Sequence, residues 1–291
     1  MSEFFFLIVN YNSSSLVARL LKTIKKDIQD KTEIVIINNS SEDKNIHLLK
    51  GDYLKIIEAK ENLGFGKACN LGLNWIYKRN SKAIVWLINP DAYFDLEQDK
   101  SIVCTASAFF QDYPQISILG TTVYNSEGKL TDAGGSFTPG TAALTIVTSI
   151  PNNSAGYFKT DWVSGCSLLI NLANFPQCPS FDPRYFLYYE DLDFCLRYAR
   201  QGHQIAVTDL LKVIHDTSSI TSRNLYLKYR HITHSYLVHM EKHGNLPAFV
   251  WTNIRMLLNT LRLIIIKPQQ GRGKLVGFYS YWRSRLNSKT I

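Results

Sequence analysis

The chain has 291 residues, 45% hydrophobic and 19% charged, the composition of one large globular domain or of a domain with an appendage. Its five cysteines (Cys69, Cys104, Cys166, Cys178, Cys195) are scattered with no C-x-x-C pair, which argues against a disulfide framework or a cysteine zinc site and for reduced thiols. The formal charge of +8 is uneven: residues 1–219 carry 20 Lys+Arg against 23 Asp+Glu, whereas residues 220–291 carry 12 against a single acid, Glu241. A near-neutral body with a basic tail predicts an anionic partner for the tail: a membrane surface, a phosphorylated lipid or nucleic acid.

In chain order, Phe4–Val9 is a continuous apolar run of strand length. It has no basic n-region before it and no small-residue cleavage site after it, so it reads as a first buried strand and not as a signal peptide. Ser13-Ser14-Ser15 then offers an N-cap, and Leu16, Leu20, Leu21 and Ile24 have helical spacing. Glu33–Ile37 and Leu54–Glu58 are further buried strands. Asn62-Leu63-Gly64-Phe65-Gly66 leads into a helix carrying Ala68, Leu71, Leu73 and Ile76, and Ala83–Ile88 is a fourth strand. Strand and helix alternate, and nearly continuous apolar strands indicate a parallel sheet covered on both faces. Ligands of such sheets bind beyond the carboxyl ends of the strands, where Asn10, Asn38 and Asp91 fall.

The second half is less regular. Gly134–Gly140 reads as a flexible loop, and residues 161–170 as a loop entering a strand. Phe181–Tyr189 is an aromatic run that stops at Glu190, Asp191 and Asp193, after which Leu192, Leu196, Arg197 and Arg200 have helical spacing. Acids at a helix N-terminus answer its dipole. Beneath a wall of Phe and Tyr they also have the surroundings that raise a carboxylate's pKa and suit it to general-base work. Strands follow at Gln204–Val207 and around Val213-Ile214-His215-Asp216. The last segment, Phe249–Ile266, is apolar apart from a stripe of Thr252, Arg255, Asn259 and Arg262. Its two arginines and two asparagines make it a poor membrane span. It reads as an interfacial helix or as one packed on the main domain or on another subunit.

Three motifs could carry chemistry, each with a plainer reading beside it. Asn89-Pro90-Asp91 follows a buried strand; it is either a turn or a carboxylate able to hold Mg²⁺ or Mn²⁺ with water and phosphate oxygens. His215 is either structural or a second ligand, and imidazole beside carboxylate suits Mn²⁺. Asn62–Asn70 lacks the third glycine of a dinucleotide loop, so it is a strand-to-helix turn or a place where backbone approaches a phosphate or sugar.

The order of these pieces resembles the family 2 glycosyltransferases, most closely the rhamnosyltransferase-like branch of bacterial polysaccharide assembly. The resemblance runs over roughly residues 4–220. It rests on Val9-Asn10-Tyr11-Asn12, Asn38-Asn39-Ser40-Ser41, Asn62–Asn70, Asn89-Pro90-Asp91, Gly134-Gly135, Trp162–Cys166, Tyr189–Asp193 and His215. It implies an α/β GT-A fold at 1–220, with a mainly parallel central sheet flanked by helices, and a helical C-terminal appendage at 221–291. It further implies a nucleotide-diphosphate-sugar donor, Mn²⁺ or Mg²⁺, and inversion at the anomeric carbon.

Residue by residue, Asp191 matches the catalytic base, Asp91 the metal-binding aspartate, and His215 a histidine that helps hold the metal or the diphosphate. Asn89 stands where many members carry a first aspartate. Tyr11 and Asn12 match the loop under the nucleotide base, and Asn38 stands where relatives often have an aspartate that reads the pyrimidine. Asn10, Ser40, Gly64, Gly66, Lys67 and Asn70 are expected on the donor side; Trp162, Gly165, Tyr189 and Glu190 on the acceptor side. Asp193 is expected to belong to the helix and its N-terminal field. The expected acceptor is a growing glycan or lipid-linked saccharide. The expected location is cytoplasmic, peripheral at the inner face of a membrane, with association between copies left open. A GT-A subunit without catalysis, partnering an active transferase, is the alternative. Nucleic acid is not expected as a partner, because no recognition motif accompanies the basic tail.

Overall fold

The computed structural model describes residues 3–28, 31–95, 101–151, 156–215 and 224–287. The boundary expected at 220/221 and the residues after His215, including Asp216, lie outside these. In order the elements are β1 (Phe4–Asn10), α1 (Ser14–Ile24), β2 (Thr32–Asn38), β3 (Leu54–Glu58), α2 (Phe65–Arg79), β4 (Ile84–Ile88) and β5 (Ala92–Tyr93). Next come α3 (Ile102–Asp112), β6 (Ile116–Tyr124), β7 (Leu130–Asp132), β8 (Gly135–Thr138), β9 (Ala143–Ile146), β10 (Tyr157–Lys159) and β11 (Ser167–Asn171). The chain closes with α4 (Glu190–Arg200), β12 (Gln204–His215), α5 (Leu225–His243), α6 (Leu246–Ile266) and α7 (Pro268–Asn287).

The main sheet has the order β10-β12-β6-β11-β4-β1-β2-β3. β1, β2, β3 and β4 are parallel, β6 and β12 are parallel to each other, and β11 runs antiparallel between β4 and β6. Every residue of β1 is buried, because the strand is covered on both sides. Phe5, Leu7 and Val9 face α2 and α4; Phe4, Phe6 and Ile8 face α1 and α3, where Trp86 packs between Phe6 and Phe94.

Several sequence expectations change in detail. Residues 134–140 are not simply a loop: β8 pairs antiparallel with β9, and Gly135 bridges to Trp162. A Cβ on Gly135 would lie 2.6 Å from the Trp162 indole nitrogen, so the glycine lets this hairpin close over the ring. The two strand segments at 204–207 and 213–215 are one strand, β12, with a register shift between Thr208 and Lys212. Ser13 stands at the N-cap of α1 without a capping bond, its hydroxyl turned instead to Asn10. The helix expected at Phe249–Ile266 starts earlier, at Leu246, where the Asn245 side chain accepts the Ala248 N–H, and it is not the final element, because α7 follows it.

The C-terminal helices pack as a trio whose seam is made of glycine. A Cβ on Gly273 would lie 2.4 Å from the Tyr226 carbonyl oxygen, and one on Gly277 2.4 Å from that of Arg230. Backbone of α7 therefore lies directly on backbone of α5. The trio joins the body through Asp193 and Asp182. Arg197 and His243 bond Asp193 at 2.7 and 2.9 Å, and the Lys242 ammonium bridges Asp193 and Asp182.

Candidate active site

The carboxyl ends of β1, β2 and β4 open into a cavity of about 380 Å³. One wall is Asn89-Pro90-Asp91 after β4; another is Ser164-Gly165-Cys166 before β11; the aromatic run and the start of α4 close a third. β12 ends at His215, which pairs with Ala92 of β5, so this distant histidine arrives beside Asp91. His215 Nε2 lies 3.0 Å from Asp91 Oδ1. Burial alone would lower the His215 pKa, but its bonds to Asp91 and Cys166 push it up to about 10.

Asp191 stands at the first turn of α4 with both oxygens held. Gly165 N–H donates to Oδ2 and Leu192 N–H to Oδ1, each at 2.8 Å. Burial raises its pKa, and these two backbone bonds oppose the rise. A Cβ on Gly165 would sit 3.3 Å from that of Asp191, so glycine brings the amide to the carboxylate. Glu190 beside it is buried, and its Oε2 has no partner among the described residues. Burial and the Asp191 charge push its pKa up to about 8, which leaves a neutral carboxylic acid at neutral pH.

The aromatic run reaches the cavity in a strained backbone. Tyr188 and Tyr189 have φ of +70° and +68°, a left-handed conformation disfavoured for bulky residues. The turn is fixed from below. Phe65 N–H donates to the Phe186 carbonyl at 2.9 Å, and Gly64, at φ +76°, leaves room for it; a Cβ there would stand 2.1 Å from that oxygen. Asn70 pins the start of the run, bonding both the N–H and the carbonyl of Phe181.

Of the residues singled out in the sequence, Tyr11, Gly64, Asn89, Asp91, Gly165, Tyr189, Glu190, Asp191 and His215 line this cavity. The others stand behind or beside it. Asn10 is buried, donating to Asn38 and Asp43 and accepting from Ser13. Asn38 in turn donates to Glu58, and Ser40 accepts the Asn12 N–H. Asn12 and Lys67 are exposed, Gly66 packs on Phe181, and Trp162 is buried in the core under the β8–β9 hairpin. Three contributors were given no role of their own in the sequence reading, although Asn39 and Cys166 fall inside its motifs. Asn39 ties the base of the cavity together, bonding Asn62, Gly64 and Leu63. Cys166 borders His215. Asp132, on β7, is raised to about 6 by burial first and then by the Asp191 charge. The doubled asparagine after β2 was a usable signal for Asn39. Nothing local marks Asp132, because its neighbours come from remote strands.

Asp91 and His215 form a pair; among the described residues no group of three or more His, Cys, Asp or Glu side chains gathers to hold a metal. A carboxylate and an imidazole converging on a cavity fit a divalent cation that completes its shell with water and phosphate oxygens.

The α/β sheet with a cleft at its strand ends is a GT-A fold, and sequence comparison gives the class, the glycosyltransferases. The profile described as glycosyl transferase family 2 matches residues 5–162, more than half of the chain, and the chain belongs to that family. It is 25% identical over 232 residues to the low-salt glycan biosynthesis hexosyltransferase Agl10 of Haloferax volcanii, covering 77% of this chain and 72% of that one. It is 22% identical over 239 residues to the N-acetylglucosaminyl-diphospho-decaprenol L-rhamnosyltransferase of Mycobacterium tuberculosis, covering 74% and 76%. Among solved structures, GalNAc-T7 with UDP, GalNAc and Mn²⁺ superposes with a TM-score of 0.58 at 13% identity, over 86% of this chain and 56% of that one. That likeness is one of fold.

Proposed function

We propose that this transferase moves a sugar, with inversion, from a nucleoside diphosphate to a hydroxyl of a cell-surface glycan or lipid-linked saccharide. Rhamnose is the first candidate, since an L-rhamnosyltransferase is among its relatives. The observation that carries the reading is the placement of Asp191. Its carboxylate is held by two backbone N–H groups in the cavity that also contains Asp91 and His215.

In this reading Asp191 takes the proton of the acceptor hydroxyl as that oxygen attacks the anomeric carbon from the face opposite the diphosphate. A carboxylate raised by burial is a better base than a solvated one, and the two N–H bonds fix its direction. Asp91 and His215 would hold Mn²⁺ or Mg²⁺ in place of the 3.0 Å contact they make with each other. A cation there would neutralise charge growing on the leaving diphosphate. Tyr188 and Tyr189 shield the sugar from water, which would otherwise compete as acceptor. The basic C-terminal region would keep the protein at the inner face of a membrane, beside lipid-linked acceptors.

The test is a panel of nucleotide sugars, each measured for thermal stabilisation with Mn²⁺ and with a chelator, followed by NMR of the product. One nucleotide sugar should raise the melting point, and only with the cation. Its product should have the opposite anomeric configuration. Stabilisation indifferent to the chelator would remove the metal assignment, and a retained configuration would remove Asp191 as the base of an inverting reaction.

A further inference from the structure

Tyr189 lines a second, smaller cavity of about 140 Å³, set among α5, α6 and α7. Tyr229 and Tyr236 border it from α5, Arg255 and Asn259 from α6, and Lys274 from α7. Two cations thus share one small space. Neither forms an ion pair among the described residues, and the one acid of residues 220–291 is engaged elsewhere: Glu241 binds Arg285 at 3.1 Å and the Tyr281 hydroxyl at 2.9 Å. The Lys274 ammonium stands 5.7 Å from the Tyr229 ring centroid, and burial together with the Arg255 charge lowers its pKa. An anion between the two would relieve their repulsion. The space is below the ~300–1,000 Å³ of a site that encloses a whole small molecule, and suits the polar head of a longer ligand.

The surface beside the cavity indicates what that longer ligand is. Arg255, Asn259 and Arg262 follow one side of α6, and next to them runs an exposed apolar stripe that includes Ile254, Leu258 and Ile265. Leu258 is 63% and Ile265 83% exposed, far more than a helix packed in a soluble core allows. By length and composition α6 could cross a membrane; with only 22% of its apolar window buried it is not a soluble core helix, and the cations along one edge match a helix lying in a lipid surface. Phosphate next to a hydrocarbon chain is the chemistry of a lipid-linked saccharide.

We propose that Arg255 and Lys274, with Asn259, bind the phosphate groups of a lipid-linked acceptor whose hydrocarbon chain lies along α6 in the bilayer. Tyr189 lines both cavities, so a saccharide attached to that phosphate would lead past it toward Asp191. The proposal rests on the acceptor class given above and adds its second anchoring point.

The test uses the full chain and flotation with phosphatidylcholine vesicles, plain, with a polyprenyl diphosphate, or with phosphatidylglycerol at matched charge. The wild type should bind diphosphate-bearing vesicles about thirtyfold more tightly than the Arg255→Ser/Lys274→Ser variant, about 1 kcal/mol for each cation. It should prefer them over phosphatidylglycerol, and the Arg255→Lys/Lys274→Arg variant should retain most of the binding. Thermal stabilisation by the nucleotide sugar should be equal in all three proteins, so failure of the donor reading and failure of this site are seen separately. Equal binding by wild type and double serine variant, or equal enhancement by phosphatidylglycerol, would overturn the proposal. So would a concentration-dependent dimer that covers α6 and leaves no vesicle binding.

Discussion

Asp191 and Asp193 stand two residues apart on α4 and face different regions. Asp191 turns to the transfer cavity, where it meets backbone N–H groups and, among the described residues, no ion-pairing cation, and burial raises its pKa. Asp193 turns to the C-terminal helices and is also buried. There His243, Lys242 and Arg197 outweigh burial and hold its pKa down to about 2. One helix end therefore supplies an unpaired carboxylate for chemistry and a fully paired one for assembly. The difference comes from the partners each side chain finds, since the helix N-terminus acts on both.

Breaking each side separately should separate rate from stability. Asp191→Asn should lower the transfer rate by about 10²–10⁴-fold while nucleotide-sugar binding stays close to wild type, as read by turnover and by thermal shift. An amide keeps an acceptor for the Gly165 N–H, so the fold should hold. Asp193→Ala should do the reverse. It removes the carboxylate shared by Lys242, Arg197 and His243, leaving Lys242 only Asp182, and should cost about 3–5 kcal/mol in urea unfolding with much smaller effect on donor binding.

Acid offers a milder way to the same contrast. Asp193 has a folded pKa of about 2 against an unfolded value near ~3.9, so its contribution is complete above that unfolded value and is lost as pH falls through 2. Asp182, held low by Arg184 and Lys242 despite burial, has the same sign. Wild-type stability should therefore drop between about pH 4 and pH 2, and Asp193→Ala should show a shallower drop over that window in urea midpoints. The smallest effect is expected at α6. Trp251 is 64% exposed, so Trp251→Ser should change stability by less than about 0.5 kcal/mol while reducing vesicle binding. A large loss of stability there would mean that the α6 face is covered by protein.

Much of the parallel part of the sheet was legible because burial on both sides writes itself into consecutive apolar residues, as in β1 and β2. The start of α4 was legible too, from acids followed by helical spacing. The hairpin β8–β9 was not, because its strands are short and largely exposed, and the contacts that hold them, to Trp162 and Asp161, come from a remote segment. Asp193 reads locally as a helix-terminal acid; its partners Lys242 and His243 lie 49 and 50 residues away.

The sequence alone determined the run of strands and helices, the ends at which polar residues collect, the family resemblance and the basic tail, because each is encoded in neighbouring residues. Tertiary structure alone decided that His215 meets Asp91, that Gly165 holds Asp191, and that Asn10 and Asn38 bond each other at the rear of the cleft. It also decided that Arg255 and Lys274 share a cavity. These outcomes depend on strand register, on backbone approaching through Gly64, Gly165, Gly273 and Gly277, and on the loss of water around charges. Such effects act between residues remote in the chain, where composition and spacing carry no record of them.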